Sequence, residues 1–270
     1  MRELPFEIRL AEFLRIHSPF GIAFSGGADS TALAVFAAKH RKPGEVILIH
    51  AETPFGPPNE RLLVRETARR YRLPLEILPL DVLSVPEIAA NGSMRCYHCK
   101  KLILTHALEL LKRRGISSLC DGANLDDLSD WRPGMKAAAE LGILHPFLEA
   151  RMGKRQIRLT ARRLGIANWM MPASACAASR IPCGTLLCPD DITLVMTAEQ
   201  ILREEFSFAD IRVRLLPGRH ASLEVKPIHR TRLSRLESQI RERLLPLGFC
   251  SLSIQPSGYR RGAMNRPEPK

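Results

Sequence analysis

A short run of hydroxyl residues, glycines and one carboxylate near the start of the chain could bind an anion. The segment Phe24–Thr31 reads Phe-Ser-Gly-Gly-Ala-Asp-Ser-Thr. It follows the apolar stretch Gly21–Phe24, which predicts a buried strand, and it precedes the apolar stretch Ala32–Ala38, which predicts a helix. Glycines let the backbone approach an anion closely, and the N–H groups of the first helical turn then hold it. The alternative is a glycine turn that binds no ligand.

Three cysteines in one loop supply a second candidate chemistry. Cys176, Cys183 and Cys188 lie within a segment rich in serine and proline. A thiolate is a strong nucleophile that forms near neutral pH when positive charge is close, so Cys176, with Arg180 four residues on, is the candidate nucleophile. Three thiolates could also hold three irons of a 4Fe–4S cluster. The alternatives are three unrelated thiols, or one sulfur donor with two bystanders.

The chain has four further cysteines, seven in all. Cys96 and Cys99 lack a second pair that would complete a tetrahedral zinc site, so we expect a structural or substrate-lining role for them. Cys120 and Cys250 lie in apolar strand patterns, which predict buried positions. An odd number of cysteines in a chain without an export signal predicts reduced thiols and a cytoplasmic protein.

Composition and charge limit the range of partners. The formal net charge is +12, and the segment Arg151–Arg163 contains six basic residues and no acid. Such a segment suits an anionic partner, although a solvated helix face is the alternative. No apolar run is long enough to span a membrane, so no membrane partner is expected. Aromatic residues make up only 6% of the chain and no RNA-binding module is evident, so we do not expect nucleic acid as a partner. We expect a homo-oligomer.

Strand and helix patterns alternate in the first half of the chain. The predicted strands and helices are, in order, Val46–His50, Asn59–Tyr71, Leu75–Leu80, Lys101–Arg114 and Ser118–Gly122. This alternation predicts an α/β fold with a doubly wound parallel sheet, which binds ligands at the carboxyl ends of its strands. The run Asp121–Asn124 follows one strand end and Ser25–Gly27 follows another, so we expect them to face one crevice.

The pattern changes near Pro172, which predicts two domains, at residues 1–172 and 173–270. The second is expected to be a small α+β domain. Its predicted elements are a helix at Asp191–Glu205, strands at Ile211–Leu215 and Ala221–Val225, a helix at Thr231–Leu245 and a strand at Ser251–Ile254. Arg212 and Arg214 point to the same side of one strand, which suits a clamp for a phosphate or carboxylate.

The glycine run resembles the pyrophosphate loop (PP-loop) of the ATP pyrophosphatases. It lacks the Gly-Lys-Ser/Thr of a Walker loop. The resemblance implies that ATP binds here, that its β- and γ-phosphates leave together as pyrophosphate, and that Asp29 faces Mg²⁺. The residues that the resemblance assigns to nucleotide binding are Ser25, Gly26, Gly27, Asp29, Ser30, Thr31, Asp121, Gly122, Asn124 and Asp127.

Narrower motifs resemble the ATP-dependent sulfur transferases of the LarE family, which build the nickel-pincer nucleotide cofactor. These motifs are Arg95–Lys101, Asp121–Asp127, Asp130–Gly134, Cys176–Pro182 and Gly258–Asn265. The family implies that ATP adenylates a carboxylate of a pyridinium-biscarboxylate mononucleotide. A sulfur nucleophile then displaces AMP and leaves a thiocarboxylate. The alternative function is that of a tRNA thiolase or an amidotransferase-type synthetase of the same superfamily.

The resemblance also implies individual roles. Cys176, Asp29 and Arg180 are the expected catalytic residues. Either Cys176 donates its own sulfur and becomes dehydroalanine, or Cys176, Cys183 and Cys188 hold a 4Fe–4S cluster that delivers sulfur from a sulfide donor. The residues expected to contact the anionic mononucleotide are Tyr97, Ser179, Glu199, Arg212, Arg214 and Glu224.

Overall fold

The computed structural model describes residues 3–57, 60–128, 132–167, 169–170 and 175–255. The motif residues 130–131 and 258–265, and the predicted boundary at Pro172, therefore lie outside the described residues. The chain divides into two compact units. One comprises Met1–Thr53, Asn59–Leu80 and Cys96–Ser174, and the other Pro54–Pro58, Asp81–Arg95 and Ala175–Lys270. The functional division between residues 1–172 and 173–270 stays a prediction.

Helices and strands alternate along the described chain. The helices are α1 (Pro5–Ile16), α2 (Ala28–His40), α3 (Glu60–Arg70), α4 (Pro86–Ala89), α5 (Arg95–Arg113), α6 (Pro133–Glu140), α7 (Pro146–Glu149), α8 (Lys154–Arg163), α9 (Pro189–Glu204), α10 (Arg230–Arg235) and α11 (Glu237–Leu244). The strands are β1 (Phe20–Ala23), β2 (Val46–Glu52), β3 (Leu75–Pro79), β4 (Ser118–Cys120), β5 (Arg212–Leu216), β6 (His220–Glu224) and β7 (Ser251–Ile254).

A four-stranded parallel sheet forms the centre of the first unit, in the order β3-β2-β1-β4. Phe20 of β1 lies opposite Val46 of β2 on one side and Ser118 of β4 on the other. The strand order reverses between β1 and β4, which is where ligands bind in doubly wound sheets. The predicted α/β fold is confirmed.

Apolar side chains cover both faces of this sheet. Phe20 and Leu48 belong to the cluster that packs on α1, α2 and α8, whereas Ile47 belongs to the cluster that packs on α5. A Cβ atom at Gly21 would lie 2.6 Å from Cδ1 of Leu111, so a larger residue there would force the Leu111 side chain of α5 to move. Burial on both faces explains why these strands read as continuous apolar runs.

Helix α5 begins at Arg95, before its predicted start at Lys101. Its first turns carry Cys96, Tyr97 and Cys99. These residue types have weak helix propensity, so the sequence pattern predicted a later start. Cys96 and Cys99 are three residues apart and therefore lie near one face of the helix.

The second unit contains a three-stranded sheet in the order β5-β6-β7. Strand β5 runs antiparallel to β6, and β6 runs parallel to β7. Val213 and Leu223 are buried opposite each other, and α9 packs against β5. The predicted single helix at Thr231–Leu245 is wrong. It is two helices, α10 and α11, which meet at Leu236, where φ is −97° and ψ is 2°.

Candidate functional site

The loop between β1 and α2 has the geometry of an anion cradle. Gly26 has a φ of 71°, in the left-handed region that favours glycine. Gly27 is the N-cap residue of α2, and no side chain among the residues that the structure describes caps this helix end. The N–H groups of the first turn therefore lack the side-chain acceptor that many helices have. Such a helix start binds anions.

Three hydroxyl groups stabilise this loop. The Ser30 hydroxyl donates to the Gly27 carbonyl over 3.2 Å and lies 3.1 Å from the hydroxyl of Ser25. The Thr31 hydroxyl donates to the Gly26 carbonyl over 3.4 Å. Ser30 and Thr31 are buried, whereas Ser25 is exposed. Ser30 and Thr31 thus shape the loop, while their predicted contacts with phosphate stay predictions.

The end of β4 lies beside this loop, as the topology predicts. A Cβ atom at Gly122 would lie 3.4 Å from the backbone nitrogen of Ser30. The Asn124 side-chain amide donates to the Asp29 carboxylate over 3.3 Å. The structure therefore brings the glycine loop and the turn after β4 together within the first unit.

Asp29 lies among charged side chains of both signs. Burial raises the pKa of Asp29, the positive charge of Lys154 acts against this increase, and the neighbouring carboxylate of Asp127 adds to it. Asp127 accepts a hydrogen bond from the backbone N–H of Asn124 over 3.2 Å and pairs with Arg132 over 2.9 Å. A cation placed beside Asp29 would stabilise its charged form.

Asp121 is the centre of a network that the sequence analysis did not identify. Lys100 Nζ and His145 Nδ1 each lie 2.7 Å from its carboxylate, and the backbone N–H of Ala123 donates to it over 3.1 Å. Burial alone would raise the pKa of Asp121, but Lys100 and His145 together hold it well below its usual range. The motif Asp121–Asp127 indicated Asp121, whereas no sequence signal linked it to Lys100 or His145.

The buried side chain of His50 lies near the half-buried carboxylate of Glu60 and contacts the backbone just before the glycine loop. His50 Nδ1 donates to the Phe24 carbonyl over 2.9 Å, and its Nε2 lies 3.9 Å from the carboxylate of Glu60. Burial lowers the pKa of His50. Burial, followed by the negative charge of Glu52, raises the pKa of Glu60 to about 7. Neither His50 nor Glu60 lies in a motif from which a role could be predicted.

Cys176 is exposed at the start of its loop in the second unit. Its carbonyl accepts hydrogen bonds from the Ser179 hydroxyl over 2.7 Å and from Arg180 Nη1 over 3.1 Å. The next residue, Ala177, donates its backbone N–H to the Phe55 carbonyl over 2.9 Å. The backbone around the candidate nucleophile is therefore fixed while its side chain faces solvent.

Arg180 and Glu199 form a buried pair beneath this loop. Arg180 Nε and Nη2 lie 2.8 and 2.9 Å from the two carboxylate oxygens of Glu199. Glu199 also accepts the backbone N–H of Val213 over 3.1 Å and pairs with Arg203. The structure thus places Arg180 and Glu199 as supports of the cysteine loop, and their predicted catalytic and substrate-binding roles stay predictions.

Arg212 and Arg214 lie on the same side of β5, as predicted, but in different environments. Arg214 is buried, pairs with Glu224 over 2.8 Å and donates to the Ser179 carbonyl. Arg212 is half-buried and donates to the Ile211 carbonyl over 2.9 Å. Arg214 of the predicted polar clamp is therefore paired with a carboxylate of the neighbouring strand.

Asn91 anchors the far part of the cysteine loop. It is buried, its φ is 52°, and its side-chain amide donates to the Pro182 carbonyl over 2.8 Å. Its own carbonyl accepts the backbone N–H of Gly184 over 2.9 Å, and Arg95 donates to its side-chain oxygen. Asn91 could not be predicted as a site residue, because its only local signal is the glycine that follows it.

Tyr97 belongs to α5, and its side chain lies among charged side chains of α5 and α6. Its hydroxyl donates to Glu140 over 2.6 Å, and Lys101 and Lys136 lie 5.3 and 5.6 Å from the centre of its ring. These contacts occur within the first unit, and the predicted contact of Tyr97 with the mononucleotide stays a prediction.

The loop cysteines do not form a ligand set as they are placed. Cys183 and Cys188 are half-buried. Within the described ranges, no three His, Cys, Asp or Glu side chains are gathered closely enough to hold a metal ion. The predicted 4Fe–4S cluster on Cys176, Cys183 and Cys188 stays a prediction. Cys120 is buried, as predicted, whereas Cys250 is exposed and its prediction is wrong, because it directly precedes the edge strand β7.

A doubly wound parallel sheet with a glycine-rich anion loop after β1 and an acidic turn after β4 defines the PP-loop class of ATP pyrophosphatases. The chain belongs, within that class, to the LarE family. It is 30% identical over 244 residues to the pyridinium-3,5-bisthiocarboxylic acid mononucleotide synthase of Lactiplantibacillus plantarum, covering 90% of this chain and 88% of that protein.

Two further relatives are uncharacterised proteins. One, from Synechocystis, is 30% identical and covers 91% of both chains. The other, from Methanocaldococcus jannaschii, is 30% identical and covers 72% of both chains. No protein-family model matches the chain. In the part of the chain that the structure describes, no helix has the length and apolar character needed to cross a membrane.

Proposed function

We propose that this protein is an ATP-dependent sulfur transferase that converts a carboxylate of a pyridinium-biscarboxylate mononucleotide into a thiocarboxylate. The observation that carries the proposal is the uncapped start of α2 at Gly27, beside Asp29 and Asn124, in a chain similar to a bisthiocarboxylate mononucleotide synthase. The product named for that relative requires sulfur in place of carboxylate oxygen.

Adenylation is the first step of the proposed reaction. A carboxylate oxygen of the mononucleotide attacks the α-phosphorus of ATP, and pyrophosphate leaves with the electrons of the broken P–O bond. The glycine loop would hold the β- and γ-phosphates through its N–H groups and the Ser25 hydroxyl. Asp29 would face the Mg²⁺ that accompanies ATP, since burial raises the pKa of this carboxylate and a nearby cation stabilises its charged form.

Sulfur transfer is the second step. The Cys176 thiolate attacks the acyl carbon and AMP leaves, which gives a thioester. Loss of the proton from Cα of Cys176 then breaks the Cβ–S bond, so that the mononucleotide keeps the sulfur and the protein keeps dehydroalanine. Ser179 and Arg180 would position the attacking residue through its carbonyl.

A 4Fe–4S cluster on Cys176, Cys183 and Cys188 is the alternative sulfur source. In the described part of the chain these three thiols do not lie close enough together to hold a metal ion, so no step is assigned to a cluster. Iron and sulfide analysis of the anaerobically purified protein distinguishes the two sources.

Variants of the glycine loop test the adenylation step. Asp29→Ala and Ser30→Ala should lower pyrophosphate release from ATP by on the order of 100-fold, because each removes a group at the phosphate cradle. The matched control is Ser84→Ala, which changes an exposed serine of the second unit. Pyrophosphate release at the wild-type rate in both loop variants would contradict the proposed function.

A further inference from the structure

Two buried polar side chains of the second unit, Asn91 and Arg95, have no part in the reaction proposed above. Their exposed fractions are 1% and 6%. Asn91 follows α4, and Arg95 begins α5. Nη1 of Arg95 donates a hydrogen bond to the side-chain oxygen of Asn91. A buried charge and a buried amide are costly unless they have partners, so the further contacts of this pair show what it holds.

Both side chains contact the backbone of the segment Cys176–Cys188, which carries the three loop cysteines and is called the cysteine loop below. The Asn91 amide donates to the carbonyls of Ile181 over 3.3 Å and Pro182 over 2.8 Å. Nη1 of Arg95 donates to the Ala178 carbonyl over 3.2 Å. The pair therefore holds the first half of the cysteine loop through its carbonyl groups.

Backbone groups of the same segment hold the second half of the cysteine loop. The Asn91 carbonyl accepts the backbone N–H of Gly184 over 2.9 Å, and the Ala89 carbonyl accepts that of Leu187 over 2.8 Å. Gly184 and Leu187 are each the sequence neighbour of a loop cysteine. Contacts from residues 89–95 thus reach both ends of the loop that carries the candidate nucleophile.

The residue type and the conformation of Asn91 both suit this role. Its φ of 52° lies in the left-handed region, which asparagine adopts more readily than most residues with a side chain. A side-chain amide both donates and accepts, so Asn91 can bind the loop carbonyls and Arg95 at the same time. Glycine at this position would keep the backbone conformation and lose both side-chain contacts.

The two steps of the proposed reaction depend on different parts of the chain. The glycine loop belongs to the first unit and the cysteine loop to the second. An acyl-adenylate that Cys176 does not attack is open to water, and then AMP leaves and the original carboxylate is restored. Attack by a nucleophile requires accurate placement, and a misplacement of about 1 Å can lower its rate by about 100-fold.

We infer that Asn91 and Arg95 are positioning residues for sulfur transfer, which hold the cysteine loop so that Cys176 attacks the acyl-adenylate before water does. This inference rests on the proposed function. It adds to it the residues that decide whether each adenylation leads to sulfur transfer or to hydrolysis.

The amount of sulfur transferred per pyrophosphate released, measured in a single turnover, tests this inference. The ratio should be about one in the wild type. In Asn91→Gly it should fall at least about tenfold, while the rate of pyrophosphate release stays within about twofold. Arg95→Lys, which keeps a charged donor, is the milder variant and should lower the ratio in the same direction. Ile240→Ala removes a buried side chain of α11 in the same unit and should leave the ratio unchanged.

Hydrogen exchange of the loop gives a second measurement that needs no turnover. The backbone N–H groups of Gly184 and Leu187 should exchange about tenfold faster or more in Asn91→Gly than in the wild type. Ile240→Ala should not change their exchange, because loops of this kind open locally.

The inference would be overturned by a wild-type ratio in Asn91→Gly, by an equal fall of the ratio in Ile240→Ala, or by unchanged exchange of the two loop amides. A wild type that releases no pyrophosphate from ATP would instead contradict the proposed function. Hydrogen exchange alone would then decide whether Asn91 holds the cysteine loop.

Discussion

The guanidinium of Arg180 meets both carboxylate oxygens of Glu199, at 2.8 and 2.9 Å, and both side chains are almost completely buried. The same arginine donates to the Cys176 carbonyl. A bidentate pair fixes orientation as well as distance. The loop that carries the candidate nucleophile is thereby tied to α9.

Removing one partner of this pair should destabilise the protein strongly. Arg180→Ala leaves the Glu199 carboxylate buried next to fewer cations, so the free energy of unfolding should fall by about 3–5 kcal/mol. Arg219→Ala removes an arginine from the pair with Asp191, in which the Arg219 side chain is 48% exposed, and should cost less than about 1 kcal/mol. Urea denaturation measures both changes. Similar small losses in the two variants would contradict the buried-pair account.

The two arginines of β5 should behave differently. Arg214→Ala should lower the free energy of unfolding by about 3–5 kcal/mol, because Glu224 would lose its buried partner. Arg212→Ala should weaken binding of the mononucleotide by about tenfold or more. Calorimetry with the mononucleotide and with ATP separates these effects. An equal loss of ATP affinity in Arg212→Ala would assign that arginine to the nucleotide site instead.

Glu60 should make stability depend on pH. Its pKa is about 7 in the folded protein, against an ordinary value of 4.5, so the folded state holds a proton that the unfolded state has released between these values. The free energy of unfolding should therefore fall as pH rises from about 4.5 to 7. The free energy of unfolding of Glu60→Gln should equal that of the wild type near pH 4 and should be higher by roughly 2 kcal/mol at pH 8.

Denaturation of the wild type and Glu60→Gln across this pH range gives the comparison. Glu66→Gln changes an exposed carboxylate on the same helix and serves as the control. A constant difference between Glu60→Gln and the wild type at every pH would contradict the raised pKa of Glu60.

The loop cysteines should not be equivalent. If Cys176 donates its sulfur, Cys176→Ala should be inactive, whereas Cys183→Ala and Cys188→Ala should each complete a single turnover. Cys250→Ala, which removes an exposed cysteine outside the loop, is the control. Mass spectrometry should show the reacted protein lighter by about 34 Da, the mass of hydrogen sulfide. About four irons per chain, lost in all three loop variants, would favour the cluster instead.

Local sequence patterns predicted the parts of the site that are contiguous in the chain. The glycine loop and the strand that precedes it could be predicted because a turn, a helix start and an apolar run are local features. The closeness of Gly122 to Ser30 followed from parallel topology. These predictions needed no knowledge of distant side chains.

Contacts between distant residues could not be predicted. The link from Asp121 to His145 and the anchoring of Pro182 by Asn91 depend on tertiary packing, which no local pattern encodes. Cys250 appeared buried because its neighbours are apolar, yet it lies beside an edge strand where one side remains exposed.

The most direct test of the central claim is mass spectrometry of the mononucleotide after incubation with the protein, ATP and Mg²⁺. Replacing a carboxylate oxygen with sulfur should make the mononucleotide heavier by about 16 Da, with one AMP and one pyrophosphate formed for each sulfur transferred. An unchanged mononucleotide, or cleavage of ATP to ADP and phosphate, would contradict the account.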